Sequence, residues 1–258
     1  MAFGSNVGNG PCLYEAAIQR LQSYACSEIV RSILHQTRPI GGPPGQAEFS
    51  NGVVRFLTKL SASELVAALH DVEQQLGRQR RERWGQRTVD LDLLLYGDYI
   101  LDLPHCVVPH PRMTHRRFVL TPACEVGGER QHPIVGLSMR QLLDVLNSRE
   151  SLVAILSHRD AAFVSARFHP SGGVVPRLNG SGTADDSGMA MIQVEQLSHV
   201  RAVGDRIKLL CFDGGWREWA IDASDLQQNY RGPILEIDRG LIDEQARNEL
   251  MAAIDAMQ

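Results

Sequence analysis

The sequence predicts an α+β protein, and three observations carry that prediction. Apolar residues alternate between two-residue and helical spacing along roughly the first 150 of 258 residues. The segments so marked run strand–helix–strand–strand–helix–strand, the split βαβ order of a ferredoxin-like layer. Beyond about residue 150 the composition changes, and a Gly/Ser/Pro/Asn/Asp-rich passage precedes a further stretch of patterned sequence.

Residues 1–4 read as the end of a strand that begins abruptly. Gly4 to Gly10 form a flexible turn, and a helix follows at roughly 11–24 with Leu13, Ala17, Ile18 and Leu21 on one face. Residues 28–37 read as a strand, and Pro39 to Gly45 as a loop too rich in Pro and Gly for regular structure. A second long strand is expected at 48–57. Ser61 or Ser63 caps a helix with the apolar stripe Leu65, Leu69, Val72 and Leu76. An arginine-rich loop leads into a strand bearing Asp90 and Asp92, then a turn at Gly97-Asp98 and a proline-rich passage at 104–111. Phe118 to Pro122 reads as a short buried segment, and Ser138 as the cap of a helix containing Leu142, Leu143, Val145 and Leu146.

The expected organisation is a first domain over 1–160, a linker over 169–188 and a small C-terminal β-rich unit over 189–258. Residues 151–168 are apolar and fit either strand or helix. Arg206–Phe212 and Trp216–Asp222 flank Asp213-Gly214-Gly215, a hairpin signal, with a further strand at Pro233–Asp238 and a helix at Glu244–Met257. Trp216 and Trp219 fit either a contact surface or a small core.

Composition narrows the chemistry. A hydrophobic fraction of 43% with 22% charged residues is that of a soluble globular chain. A formal net charge of −4 offers no general attraction to nucleic acid or membrane, so clustered arginines are expected to serve something small and anionic. Five widely spaced cysteines without a CxxC pattern read as reduced thiols of a cytoplasmic protein. No apolar run reaches the length of a membrane span, and Met1-Ala2-Phe3 leads straight into Gly4-Ser5-Asn6, leaving no room for a signal peptide. Lys59 and Lys208 are the only lysines, and neither follows a P-loop.

The most informative stretch is Arg83 to Asp92. Val89, Leu91, Leu93 and Leu95 alternate with Asp90, Asp92, Leu94 and Tyr96, so both carboxylates project from one strand face about 7 Å apart. Two anions so placed repel unless a cation neutralises them. Arg78, Arg80, Arg81, Arg83 and Arg87 lie just upstream. Paired acids beside an arginine cluster point to a site for magnesium and phosphates. Phe49 and Asn51, two residues apart on a strand, face the same way.

Taken together, several motifs resemble the 6-hydroxymethyl-7,8-dihydropterin pyrophosphokinase family of folate biosynthesis. They are Gly4-Ser5-Asn6, Thr37-x-Pro39-x-Gly41, Gln46-x-x-Phe49-x-Asn51, Glu73-x-x-Leu76-Gly77-Arg78, Arg83-Trp84-Gly85-x-Arg87-Thr88-x-Asp90-x-Asp92, Pro109-His110-Pro111-Arg112-Met113 and Arg116-x-Phe118-Val119-Leu120. The resemblance covers residues ~1–150. It implies a ferredoxin-like fold and transfer of the β,γ-diphosphate of ATP to the pterin hydroxymethyl group, releasing AMP. It implies two Mg²⁺ ions on Asp90 and Asp92, and Arg78 and Arg87 as catalytic phosphate-contacting residues. Glu73, Arg78, Trp84, Arg87, His110, Arg112 and Arg116 fall where the family binds ATP. Thr37, Ile40, Phe49, Asn51, Trp84, Asp90 and Phe118 fall where it holds the pterin. The implied partners are these small molecules, with no nucleic acid and no membrane. Gln86, the abrupt first strand and the unassigned C-terminal unit leave a second reading open, a nucleotide-binding regulatory module that has lost transfer.

Overall fold

The computed structural model describes residues 1–40, 43–78, 86–148, 152–159, 161–168, 183–184, 190–194, 196, 198, 200, 207–214, 221–241 and 243–257. The fold is mixed α/β and divides into two compact units, one of 1–113 with 118–130 and one of 114–117 with 131–258.

In the first unit the order is β1 (Ala2–Ser5), α1 (Gly10–Ser23), β2 (Cys26–Arg31), β3 (His35–Thr37), β4 (Phe49–Thr58), α2 (Ala62–Gln75) and β5 (Asp90–Asp92). A two-stranded ribbon, β6 (Leu101–Leu103) and β7 (Cys106–Val108), and helix α3 (Arg117–Gly127) follow. The sheet runs β2-β4-β1-β5 with β3 also on β4, and every pairing is antiparallel. Short β1 is therefore central, flanked by β4 and β5.

Strand alternation gives this sheet two different faces. Phe3 lies opposite Leu91 on one side and Gly52 on the other. Phe3 and Leu91 belong to a core shared with Ala17, Ile18 and Leu21 of α1 and Leu65, Leu69 and Val72 of α2. Tyr14 of α1 tilts against Phe3 with ring centroids 5.0 Å apart. Gly52 is required here, because a Cβ would stand 3.1 Å from the Tyr14 hydroxyl and 3.0 Å from Leu34. The opposite face carries Ala2 and Gly4 of β1, Asp90 and Asp92 of β5, and Phe49 and Asn51 of β4.

Local signals place the helices. Asn9 caps α1 by accepting from the Cys12 N–H at 3.0 Å, with a proline in the first turn. Of the two candidate serines, Ser61 caps α2, and Glu64 returns the bond to complete a capping box. The single strand expected over 28–37 is two strands, β2 and β3. Glu28 takes a left-handed φ of 49°, and the register shifts between Ser27 and Val30. The acid-bearing strand is only three residues long. The segment expected at Phe118 to Pro122 lies within helix α3, which carries Pro122 inside it.

The second unit differs most from its expectation. Its helices are α4 (Met139–Ser148), α5 (Ala161–Phe168), α6 (Ala223–Asn229) and α7 (Asp243–Ala256). Its strands β8 (Leu152–Leu156), β9 (Thr183–Ala184), β10 (Ala190–Val194), β11 (Ile207–Asp213) and β12 (Ile234–Ile237) form one sheet in the order β12-β11-β8-β10-β9. β8, β10, β11 and β12 are all parallel. This corrects the small β-rich hairpin unit: β11 pairs with β8 and β12, and of the other arm of the hairpin residues 216–220 lie outside the described residues. A parallel sheet covered on both faces reads as unbroken apolar runs, not alternation. All five residues of Leu152–Leu156 are buried. The expected boundary at 160 also moves, because β8 sits between β10 and β11 and α4 groups with the second unit. Within the expected 169–188 linker, only Thr183–Ala184 are described, and they pair with β10.

All five cysteines are free. No helix among the described residues is long and apolar enough to cross a membrane.

Phe3 is 1% exposed at the centre of the first sheet. Phe3→Ala is expected to lower the unfolding free energy by about 3–5 kcal/mol, read from urea unfolding followed by far-UV circular dichroism.

Candidate active site

The site is built on the face of the first sheet opposite the core formed with α1 and α2. Register sets Asn51, Gly4 and Asp90 side by side on three adjacent strands. A Cβ on Gly4 would stand 3.4 Å from the Asn51 amide oxygen and 4.0 Å from the Asp90 Cβ, so any larger side chain would fill the space between them. Asn51 is buried and donates to the Thr37 hydroxyl at 2.7 Å. Thr37 pairs with Phe49 in the ladder, so Thr37, Phe49 and Asn51 form one neighbourhood beside Gly4. Phe49 is half-buried, as is Ile40 in the loop after β3.

The charged half begins at the end of α2. Leu76 is the C-cap and Gly77, with φ of 83°, turns the chain back. The Gly77 N–H donates to the Gln74 carbonyl and the Arg78 N–H to the Glu73 carbonyl, each at 3.0 Å. That pair of bonds is a Schellman motif, which brings the residue after the glycine beside the last full turn. Arg78 consequently pairs with the Glu73 carboxylate. Glu73 is 2% exposed, and its Oε1 also accepts the Leu91 N–H at 2.7 Å. One buried carboxylate thus fixes Arg78 and the backbone between the two aspartates.

Asp90 receives two arginines. Its Oδ1 accepts from Arg78 Nη2 at 2.7 Å, and its Oδ2 pairs with Arg87 Nη1. Arg87 is held through its backbone by Asn6: its N–H donates to Asn6 Oδ1 at 2.8 Å, and its carbonyl accepts the Asn6 N–H at 3.0 Å. Asp92 is more open, at 41% side-chain exposure, with His110 Nε2 3.7 Å from its Oδ2. His110 is fixed by its N–H on the Leu94 carbonyl at 2.8 Å. Its Nδ1 accepts the Arg112 N–H at 3.1 Å, which leaves Nε2 as the protonated nitrogen of the neutral ring, facing Asp92.

Burial pushes the Glu73 carboxyl up from its usual range, against the lowering effect of Arg78 and the Leu91 N–H. Burial pulls Arg78 down, but its bond to Glu73 and the charges of Asp90, Glu73 and Asp92 outweigh that and raise it, so the guanidinium stays charged.

Of the residues expected from sequence, Glu73, Arg78, Arg87 and Asp90 meet in one ion-paired group, Asp92 meets His110, and Thr37 meets Asn51. Glu73 faces inward as an anchor. Phe118 lies in the first turn of α3, and Arg112 follows His110 in a turn closed by the Met113 N–H on the His110 carbonyl at 3.1 Å. Arg116 falls in the 114–117 segment of the second unit, and Trp84 lies outside the described residues. Sequence reasoning assigned no task to Asn6 or Gly4; the Gly4-Ser5-Asn6 motif was the signal available for both.

Residues 1–128 match the 7,8-dihydro-6-hydroxymethylpterin-pyrophosphokinase family. The chain is 37% identical over 145 residues to the 2-amino-4-hydroxy-6-hydroxymethyldihydropteridine pyrophosphokinase of Synechocystis sp., covering 56% of this chain and 73% of that protein. It is 38% identical over 134 residues to the enzyme of the same name from Pseudomonas aeruginosa, covering 52% of this chain and 82% of that one. A folate synthesis bifunctional protein of Arabidopsis thaliana is 35% identical over 129 residues, covering 50% of this chain and 26% of that protein. The chain belongs to the pyrophosphokinase family.

Because folding raises the Glu73 pKa, the native chain holds that proton more readily than the unfolded one. The stability Glu73 contributes is therefore largest below the ordinary carboxylate pKa and is lost as pH rises through the elevated value. Chemical denaturation from about pH 4 to 8 should show the native protein losing stability relative to Glu73→Gln as pH rises. A constant difference between the two would contradict this.

Proposed function

We propose that the first unit transfers the diphosphate of ATP to the hydroxymethyl group of 6-hydroxymethyl-7,8-dihydropterin, releasing AMP, in folate biosynthesis. The observation that carries this reading is the row Asn51–Gly4–Asp90 with Arg78 and Arg87 on Asp90 and Asp92 beside it. Acids for cations, arginines for phosphate and an amide for a heterocycle edge lie on one sheet face. The antiparallel order β2-β4-β1-β5, with α1 and α2 on the other face, supports a ferredoxin-like assignment. Five free cysteines support a cytoplasmic location.

Asp90 and Asp92 fit Mg²⁺: they supply hard oxygens from one strand face. Among the described residues no group of three or more potential ligands converges. Mg²⁺ held by these two carboxylates would take its remaining oxygen ligands from phosphate and water. We assign two such ions, which when bound would neutralise and align the phosphates. The alcohol oxygen bonds to the β-phosphorus as the bond from that phosphorus to the α,β-bridging oxygen breaks. The bridging oxygen leaves with AMP, and the alcohol proton passes to solvent. Arg78 and Arg87 present planar donors to phosphate oxygens and cannot lose their charge there. Asn51, steadied by Thr37, offers a donor and an acceptor to the pterin amide edge, with Phe49 and Phe118 as apolar surfaces for its ring. Trp84, His110 and Arg112 complete the proposed nucleotide contacts, and Ile40 the pterin pocket.

AMP release that requires both Mg²⁺ and the hydroxymethylpterin, measured on the full chain, tests the reading. A folded protein that binds ATP without turnover would favour a regulatory module instead. Asp92→Ala should lower kcat by about 10²–10³-fold or more while weakening ATP binding less, and equal losses would assign Asp92 to binding alone. Arg87→Ala should lower kcat more than it raises KM, because its charge is needed as negative charge moves toward the departing AMP.

A further inference from the structure

Helix α3 lies against the same sheet face that carries Asn51. Asn51, Val53 and Arg55 alternate onto that face along β4, and a Cβ on Gly127 at the end of α3 would stand 3.8 Å from the Arg55 Cδ. Glu125 pins the helix there. Its Oε1 lies 2.7 Å from His35 Nε2, and its Oε2 accepts the Ile33 N–H at 3.0 Å. Both partners lie at or just before the start of β3, where His35 stands directly opposite Asn51 in the ladder. Two residues on, the Thr37 hydroxyl accepts from the Asn51 amide at 2.7 Å. One carboxylate therefore holds α3 to the strand that steadies Asn51.

Phe118 precedes Glu125 by just under two helical turns, so both occupy one side of α3, about 10 Å apart along its axis. Resting on the function proposed above, we infer that His35 and Glu125 are positioning residues for the pterin. They set the separation between the Thr37–Asn51 edge on the sheet and the Phe118 ring on the helix. Contact attraction falls steeply once a flat ring loses a wall on one side. A helix free to drift would therefore cost affinity for the pterin and leave the phosphate side alone. Neither residue belongs to the ion-paired group of Glu73, Arg78, Asp90 and Arg87. What the clamp needs at position 35 is a donor at that reach, which a glutamine amide also supplies.

The test reads binding without turnover. 6-Hydroxymethyl-7,8-dihydropterin is titrated calorimetrically into the full chain holding Mg²⁺ and α,β-methylene-ATP, whose α,β bridge cannot break. His35→Ala should weaken pterin binding about three- to tenfold, the range set by one hydrogen bond. Binding of α,β-methylene-ATP with Mg²⁺, measured separately, should be unchanged. His35→Gln should restore most of the pterin affinity. In a Phe118→Ala background His35→Ala should cost little more, because the ring it positions is gone. Equal weakening of nucleotide and pterin, unchanged pterin affinity, no rescue by glutamine, or full additivity with Phe118→Ala would each overturn the inference. Should His35→Ala not fold by circular dichroism, Glu125→Gln, which keeps the volume and weakens the acceptor, decides by the same pterin and nucleotide readings. An unmodified protein that binds and turns over the pterin, with variants that behave alike, removes only the clamp. An unmodified protein that binds no pterin removes the proposed function and the clamp with it.

Discussion

The N–H of Leu91 donates to a carboxylate that is almost wholly enclosed, and the arrangement of the site descends from that bond. An ionised carboxylate out of water is costly unless its oxygens are met by donors. Glu73 finds two, one on the strand that carries the aspartates and one on the arginine beyond the glycine turn. Helix α2, strand β5 and Arg78 are thereby locked in a common register. Removing Arg78 would leave the Glu73 charge stranded in the interior, whereas Arg78 would still have Asp90 if Glu73 were removed.

The same strand geometry explains how an apolar core and an anionic face share a sheet only four residues deep at β1. Phe3 and Leu91 point toward the helices, while Gly4 and Asp90 point away. Gly4 has no side chain to offer that second face, and that gap lies between an amide on β4 and a carboxylate on β5. Proximity of the Asn51 amide and the Asp90 carboxylate comes from ladder register across three strands.

The second unit obeys a different rule. Its central strands are buried on both faces, and its parallel pairing joins residues far apart in the chain. Inside it, Asp213 at the end of β11 accepts from the Ser157 hydroxyl at 2.9 Å and lies 3.4 Å from Arg167 Nε. Arg167, 3% exposed, also donates to the Leu241 and Asp238 carbonyls, each at 2.9 Å. Those bonds tie the loop after β12 to helix α5, while the buried Arg167 Nε itself makes no hydrogen bond.

Local pattern alone determined much of the first unit: helices α1 and α2, the α2 cap narrowed to Ser61 or Ser63, the long strand β4, and the placing of Asp90 and Asp92 on one face. Each depends on spacing or capping within a few residues, where side-chain direction is dictated by the backbone period. The break between β2 and β3 escaped because a left-handed residue and a register shift leave no strong sequence mark. The parallel sheet escaped because unbroken apolar runs suit helix and buried strand alike, and a turn-like Asp-Gly invites a hairpin. The partners themselves were decided only in three dimensions: Glu73 on Leu91, Asn6 on Arg87, Asn51 beside Gly4 and Asp90. Those contacts join positions 18, 81 and up to 86 residues apart, and no rule of local spacing reaches that far.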